Sequence, residues 1–193
     1  DFDNIVTTIG GYIRTEDMKG LKKYYLQLED DCQRVNNLYL LNPEIINNDG
    51  IYNLLTKKYN EAEEKDIKVN ITFLLDLSTL HMKIYEFARI LGILLDNAIE
   101  ACIRLQHQDP AAQPSIVLSM KPFRAALQII VQNTSTGEYL TDKDHALRTS
   151  KADTSQHGFG LLNVQKTVEA ANGIIDITKN STSFCVTILI PEK

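Results

Sequence analysis

Three polar residues interrupt an otherwise apolar stretch at residues 94–101: Asp96, Asn97 and Glu100. Asn97 and Glu100 are three residues apart and therefore share one face if this stretch is helical. A polar group on an apolar helix is costly unless it is hydrogen-bonded or binds a ligand. A neutral carbonyl oxygen beside a carboxylate suits a partly hydrated Mg²⁺. The pattern therefore indicates a metal site, and a helix edge exposed to water is the alternative.

A pair of glycines lies directly before a second predicted helix. Gly158 and Gly160 follow His157 at the end of a polar stretch, and the helix is expected from residue 160 to about 171. Backbone N–H groups at the N-terminus of a helix form a general phosphate-binding arrangement. The glycines therefore favour a phosphate site, with a flexible entry to the helix as the alternative.

Asn133 directly follows a predicted strand, and a polar side chain at a strand end can recognise the edge of a ligand. An ordinary Asn turn is the alternative. Residues 133–157, which lead from Asn133 to the glycines, show little apolar periodicity. A segment of this length without regular structure inside a compact domain is usually functional.

Periodicity of the apolar residues predicts the elements that must position these groups. Asp49 is expected to cap the third helix. The predicted order is helices at 2–13, 18–41 and 49–65, a strand at 67–77, a helix at 82–105, strands at 115–120 and 126–132, a helix at 160–171, and strands at 174–178 and 183–190. This order is typical of an α/β fold, a two-layer α+β sandwich with a mostly antiparallel sheet and helices on one face, preceded by a helical hairpin.

The second helix carries an apolar seam with the spacing of a coiled coil. Its members are four, three, four, three and four residues apart: Leu21, Tyr25, Leu28, Cys32, Val35 and Tyr39. Such a heptad seam suits packing against partner helices. The seam predicts a homodimer through a hairpin at 1–42, separate from a domain at 43–193, and an intrachain helix pair is the alternative.

The composition excludes several classes of protein. A net charge of −5 provides no basic field for nucleic acid, so no nucleic-acid partner is expected. The cysteines, Cys32, Cys102 and Cys185, are far apart in the chain and are expected to be free thiols. No apolar run reaches the length needed to span a membrane.

Together and in this order, the three polar segments resemble those of sensor histidine kinases with a GHKL-type (Bergerat-fold) ATP-binding domain. More narrowly, the chain resembles the Agr-type sensors of peptide quorum sensing. Residues 94–101 look like the N box, and residues 157–161 look like the G2 box. Residues 133–137, Asn-Thr-Ser-Thr-Gly, take the place of the G1 box, which is usually Asp-x-Gly-x-Gly.

The resemblance implies a role for each matching residue toward ATP and Mg²⁺. Asn97 would bind Mg²⁺, and Glu100 would act on it indirectly. Asn133 would accept a hydrogen bond from the adenine amino group. The other ATP contacts would come from the lid and the G2 box: Gly137, Lys151, His157, Gly158, Gly160 and Leu161. Ile93 stands where hydrolytic relatives carry a glutamate base, which favours a kinase over an ATPase.

The first residues resemble the end of an H box, in which the phosphoacceptor histidine would directly precede Asp1. Asp1 would then be the acid/base, and Asn4 would orient water or the phosphoryl group; a charged helix start is the alternative. The implied protein is the cytoplasmic portion of a plasma-membrane sensor, joined to the membrane only through an upstream region. It would pass the phosphoryl group to a response-regulator aspartate. The alternative function is a non-catalytic GHKL-fold interaction module without nucleotide.

Overall fold

The computed structural model describes residues 2–136, 140–141, 147–148 and 160–192. The chain divides into two compact units, Asp1–Tyr39 and Leu40–Lys193. The division falls close to the predicted boundary after residue 42. The roles predicted for the two parts, dimerisation with phosphotransfer and ATP binding, remain predictions.

The N-terminal unit consists of two helices joined by a short turn. Helices α1 (Phe2–Arg14) and α2 (Met18–Leu40) follow the apolar periodicity of the sequence. The Asp17 carboxylate accepts a hydrogen bond from the Gly20 N–H at 2.8 Å. A Cβ on Gly20 would meet the side chains of Asp17 and Tyr12, the latter at 2.7 Å from Cε1, so glycine lets both side chains pack against the start of α2. On the predicted seam, Tyr25 is 57% and Val35 67% exposed.

The C-terminal unit is built on a five-stranded sheet with the order β1-β2-β3-β7-β6. Its strands are β1 (Lys68–Phe73), β2 (Ser115–Phe123), β3 (Ala126–Thr134), β6 (Ile174–Lys179) and β7 (Ser183–Pro191). Strands β1 and β2 pair in parallel, and the other neighbouring pairs are antiparallel. A separate short pair joins β4 (Leu140–Thr141) to β5 (Leu147–Arg148).

Helices α3 (Pro43–Ile46), α4 (Asp49–Glu63), α5 (Ile84–Gln108) and α6 (Gly160–Ala170) complete this unit. The long helix α5 contributes most to the core: Phe87, Ile90, Leu91, Leu94, Leu95, Ala98, Ile99, Ala101 and Cys102 are buried. These side chains pack against the alternate residues of the sheet that face them. The predicted two-layer α/β sandwich is confirmed. None of the described helices is both long and apolar enough to cross a membrane.

Several predicted element boundaries were wrong because local capping overrides periodicity. The third predicted helix is capped by Asn48 rather than Asp49, since the Asn48 side chain accepts from the Ile51 N–H at 3.1 Å. The strand predicted at 67–77 ends at Phe73. Beyond it, the Asp76 carboxylate accepts from the Ser78 N–H at 2.9 Å and starts a 3₁₀ turn.

Helix α5 begins two residues later and ends three residues later than predicted. Its start is fixed by the Lys83 N–H, which donates to Glu86 Oε2 at 3.2 Å. Helix α3 was not predicted at all. It is one turn long and is capped by Asn42, whose side chain accepts from the Glu44 N–H at 2.8 Å.

Candidate functional site

Helix α5 presents Ile93, Asn97 and Glu100 on one face, since the three are spaced by four and three residues. The opposite face is fixed by buried side chains, including Leu94, Ala98 and Cys102. Asn97 and Glu100 are half-buried. Asn97 is therefore held on the side of α5 that points away from the sheet, and its orientation follows from the amphipathic pattern of the helix.

The N-terminus of α6 meets α5 on this same face. A Cβ built on Gly160, the first residue of α6, would lie 3.3 Å from Ile93 Cγ2. Asn97 lies one helical turn beyond Ile93 on α5. Helix α6 is anchored in the core by Val164 and Val168. The structure thus brings the backbone N–H groups at the start of α6 toward the face that carries Asn97, and such groups favour an anion.

Asn133 lies at the end of β3 on the side of the sheet that faces the helices. It continues the buried series of Leu127, Ile129 and Val131, and only 4% of its surface is exposed. Its Nδ2 donates to the Thr134 carbonyl at 2.8 Å. The amide oxygen is therefore the atom of this side chain that suits an amino group on a ligand.

Thr134 connects the end of β3 to both β2 and α5. Its hydroxyl accepts from the Ser115 N–H at 2.9 Å and lies 3.7 Å from Cys102 Sγ. Burial raises the pKa of the Cys102 thiol, against the opposing effect of these hydrogen bonds, so the thiol stays neutral at physiological pH. Cys102 is about 7.5 Å along α5 from Asn97. Thr134 thus ties the end of β3 to the buried face of α5, opposite the face that carries Asn97.

A basic residue that sequence reasoning missed lies beside the polar patch of α5. Lys58 Nζ of α4 is 2.6 Å from Asp96 Oδ1 and 2.6 Å from Glu61 Oε2. Burial lowers the pKa of Lys58, but the hydrogen bonds to Asp96 and Glu61 outweigh it and the pKa lies above its usual value. The hydrogen bond from Lys58 lowers the pKa of Glu61. The i,i+3 spacing of Lys58 and Glu61 was the available signal, but the contact with Asp96 was not visible in the sequence.

The predicted site residues fall into three groups. Those that the structure places in the C-terminal unit are Asn97, Glu100, Asn133, Gly160 and Leu161. Asn4 is exposed on α1 in the N-terminal unit, where its carbonyl accepts from the Thr8 hydroxyl at 2.8 Å. Asp1, Gly137, Lys151, His157 and Gly158 lie outside the described residues.

The donor set fits a metal that arrives with a nucleotide. Among the described residues, no group of three or more His, Cys, Asp or Glu side chains is placed to hold a metal ion. Asn97 and Glu100 offer one neutral and one charged oxygen, which suits Mg²⁺ when phosphates and water supply the other ligands. The start of α6, whose Gly160 packs closely beside Ile93, suits those phosphates.

Comparison with known proteins agrees with this geometry. A family model described as the GHKL domain matches residues 82–191, more than half of the chain. The Escherichia coli (strain K12) sensor histidine kinase DpiB is 26% identical over 181 residues, which cover 92% of this chain and 32% of DpiB. The chain thus spans about a third of the length of that relative.

Solved structures share the fold at low sequence identity. The catalytic domain of the histidine kinase ThkA, in a nucleotide-free form, superposes with a TM-score of 0.56 at 15% identity, covering 74% of this chain and 90% of that domain. Full-length ShkA in complex with AMPPNP gives a TM-score of 0.52 at 16% identity, covering 74% of this chain and 29% of ShkA.

Proposed function

The chain belongs to the GHKL family, and from this membership we propose that residues 43–193 are the ATP-binding catalytic domain of a sensor protein-histidine kinase. The observation that carries the proposal is the contact of Ile93 with Gly160, which brings the start of α6 to the face of α5 that carries Asn97. A candidate metal ligand and a helix N-terminus thus lie side by side on α5, and Asn133 ends β3, a strand that packs against the same helix.

Each described residue has a defined role in this proposal. The Asn97 side-chain oxygen would bind Mg²⁺, and Glu100 would act on it indirectly. The Asn133 amide oxygen accepts from the adenine amino group, and the N–H groups at Gly160 and Leu161 hold the phosphates. When bound, Mg²⁺ supplies charge neutralisation across the phosphates. The proposal also assigns ATP contacts to Gly137, Lys151, His157 and Gly158.

Ile93 supports phosphoryl transfer over hydrolysis. Activation of water requires a base within hydrogen-bonding reach of the nucleophile. The side chain one turn before Asn97 is aliphatic and packed against Gly160, so it cannot remove a proton from water. The acceptor in the proposed reaction is a protein histidine, as the family membership suggests, and the phosphoryl group then passes to an aspartate of a response regulator.

The N-terminal unit is proposed to serve dimerisation and phosphotransfer. Its two helices leave large apolar side chains in solvent, with Phe2 76% and Val35 67% exposed. Exposed large apolar side chains suit an interface, and the heptad spacing favours a second copy of the same hairpin. Asn4 would orient the phosphoryl group on this unit, with Asp1 as the acid/base.

Membership of the Agr-type peptide quorum-sensing branch is the finer part of the proposal. Its support is Asn133 and Ser135 at positions where most kinases of this family carry Asp and Gly. In that case the parent protein is a plasma-membrane sensor with this portion in the cytoplasm. Stimulation of the parent protein's autophosphorylation by a peptide, compared with small metabolites, tests this assignment.

Thermal unfolding with and without Mg-ATP tests the proposed function. A ligand that binds only the folded state raises the midpoint of unfolding, and the rise grows with the logarithm of the ratio of ligand concentration to Kd. We expect Mg-ATP to raise the midpoint and Mg-GTP to raise it less, because Asn133 accepts from an amino group that guanine lacks at that position. The absence of any shift at millimolar Mg-ATP would instead identify a non-catalytic module of the same fold.

A further inference from the structure

A shared ammonium group lies next to the proposed magnesium ligand. Lys58 bridges Asp96 of α5 and Glu61 of its own helix, with both N···O distances 2.6 Å. The Lys58 side chain is only 13% exposed, whereas that of Asp96 is 52% exposed. The ammonium group is therefore held in place among packed residues, while the carboxylate that it binds reaches solvent one residue before Asn97.

The charges on α5 would otherwise oppose a nucleotide. Asp96 and Glu100 are four residues apart on a helix and carry charges of the same sign. A polyphosphate near Asn97 is repelled by each of them, and such repulsion is screened over about 8 Å at physiological ionic strength. An ion pair to Asp96 reduces this repulsion and turns the carboxylate toward α4.

We propose that Lys58 is a positioning residue of the Mg-ATP site: by pairing with Asp96, it holds this carboxylate toward α4 and screens its charge from the nucleotide phosphates. The inference rests on the proposed function, since it assumes that phosphates lie beside Asn97. Lys58 itself acts through Asp96, and the inference does not require it to touch the nucleotide.

The test is Lys58→Met, measured by calorimetry with ligands of decreasing negative charge: ATP without metal, ADP and adenosine. Methionine keeps much of the volume of the half-buried lysine stem and removes the charge. We expect roughly fivefold weaker binding of ATP, a smaller loss for ADP, and unchanged binding of adenosine, because Coulomb repulsion scales with ligand charge. The loss should shrink at high salt. A merely structural role would weaken adenosine to the same extent as ATP and would overturn the proposal.

Two further variants isolate the Asp96 carboxylate. In Lys58→Met/Asp96→Asn the repelling charge is gone, and we expect ATP affinity to return to within about twofold of the parent chain. Glu61→Gln is the matched control: it removes the other carboxylate that Lys58 binds, on α4 rather than beside Asn97, and should leave ATP affinity unchanged. If the double variant does not recover its ATP affinity, screening of Asp96 is contradicted. The same holds if Glu61→Gln loses as much ATP affinity as Lys58→Met.

Asp96→Asn alone keeps the inference testable if Lys58→Met does not fold. We expect its ATP affinity to be equal to or slightly higher than that of the parent chain, because the charge to be screened is absent. A loss of more than about fivefold would show that Asp96 itself is needed for binding and would overturn the proposal. If the parent chain does not bind ATP, the proposed function fails; if it binds ATP and Lys58→Met binds equally well, only this inference fails.

Discussion

Gly160 and Ile93 pack closely: a Cβ on Gly160 would lie 3.3 Å from Ile93 Cγ2, so even a methyl group there would require a shift of a few tenths of an ångström. This contact is what brings the N-terminus of α6 to the face of α5 that carries Asn97. The glycine is thus needed for close packing of two helices. In the proposed site, Ile93 also places an aliphatic side chain one helical turn before Asn97, where it cannot act as a base.

Gly160→Ala should weaken Mg-ATP binding while the protein stays folded. The added methyl group forces Ile93 or the start of α6 to move by a few tenths of an ångström. Because hydrogen bonds depend steeply on donor–acceptor geometry, displaced N–H groups at the start of α6 should bind the phosphates less well, and we expect a loss of several-fold in affinity. Calorimetry of Mg-ATP binding to Gly160→Ala and to the parent chain measures this loss.

Ile93→Ala, combined with Gly160→Ala, should recover most of the lost affinity because it removes the atom that the new methyl group meets. Gly10→Ala is the matched control, since nothing lies within 4 Å of its Cβ position. It should raise stability by about 0.5–1 kcal/mol, as expected for Ala over Gly in a helix, and leave Mg-ATP affinity unchanged. Equal affinities in Gly160→Ala and the parent chain would contradict a nucleotide site at the start of α6.

Asn133→Ala should weaken ATP binding by about 1–2 kcal/mol, the usual cost of an unsatisfied hydrogen-bond partner. Asn133→Asp should keep or strengthen ATP binding, since a charged acceptor makes the stronger bond. It should also lower the unfolding midpoint, because a carboxylate cannot donate to the Thr134 carbonyl as the amide does at 2.8 Å. Equal affinities of the parent chain for ATP and GTP would show that Asn133 does not recognise the adenine edge.

The ion pairs of Lys58 predict how stability depends on pH. The pKa of Glu61 is lowered from its ordinary value of 4.5, so its contribution is complete above that pH and is lost as the pH falls through the folded-state pKa. The pKa of Lys58 is raised from 10.5, so its contribution is complete below that pH and is lost as the pH rises through the folded-state pKa. Because the Glu61 side chain is 35% exposed, we expect less than about 1 kcal/mol from the Lys58–Glu61 pair.

Urea unfolding at several pH values between about 3 and 6 measures how the free energy of unfolding falls on acidification. Glu61→Gln should remove part of the loss in stability that the parent chain shows on acidification, because the amide does not titrate. If the free energy of unfolding falls equally with pH in the parent chain and in Glu61→Gln, the lowered pKa of Glu61 is contradicted.

The sequence was sufficient for the fold because the signals involved are local or strongly periodic. The alternation in β3 placed Leu127, Ile129 and Val131 in the core, and its continuation places Asn133 on the same side. The apolar pattern of α5 likewise indicated a buried helix with a polar patch. Boundaries failed where a single side chain decides them, as Asp76 does after β1 and Asn48 does before α4.

Contacts between distant residues could not be predicted in the same way. Lys58 and Asp96 are 38 residues apart and meet only because α4 packs beside α5. Thr134 contacts Cys102 and Ser115 only because β3 packs beside α5 and pairs with β2. These residue types are common, and nothing in their spacing distinguishes them until the elements are packed.

The most direct test of the account is the affinity of Asn97→Ala for Mg-ATP, measured by calorimetry. Asn53→Ala is the matched control, since it makes the same change at an exposed position of α4. The account predicts that Asn97→Ala stays folded, that its Mg-ATP affinity falls at least tenfold, about 1.4 kcal/mol, and that Asn53→Ala binds like the parent chain. Unchanged Mg-ATP affinity in folded Asn97→Ala would contradict the assignment of this face of α5 as the nucleotide site.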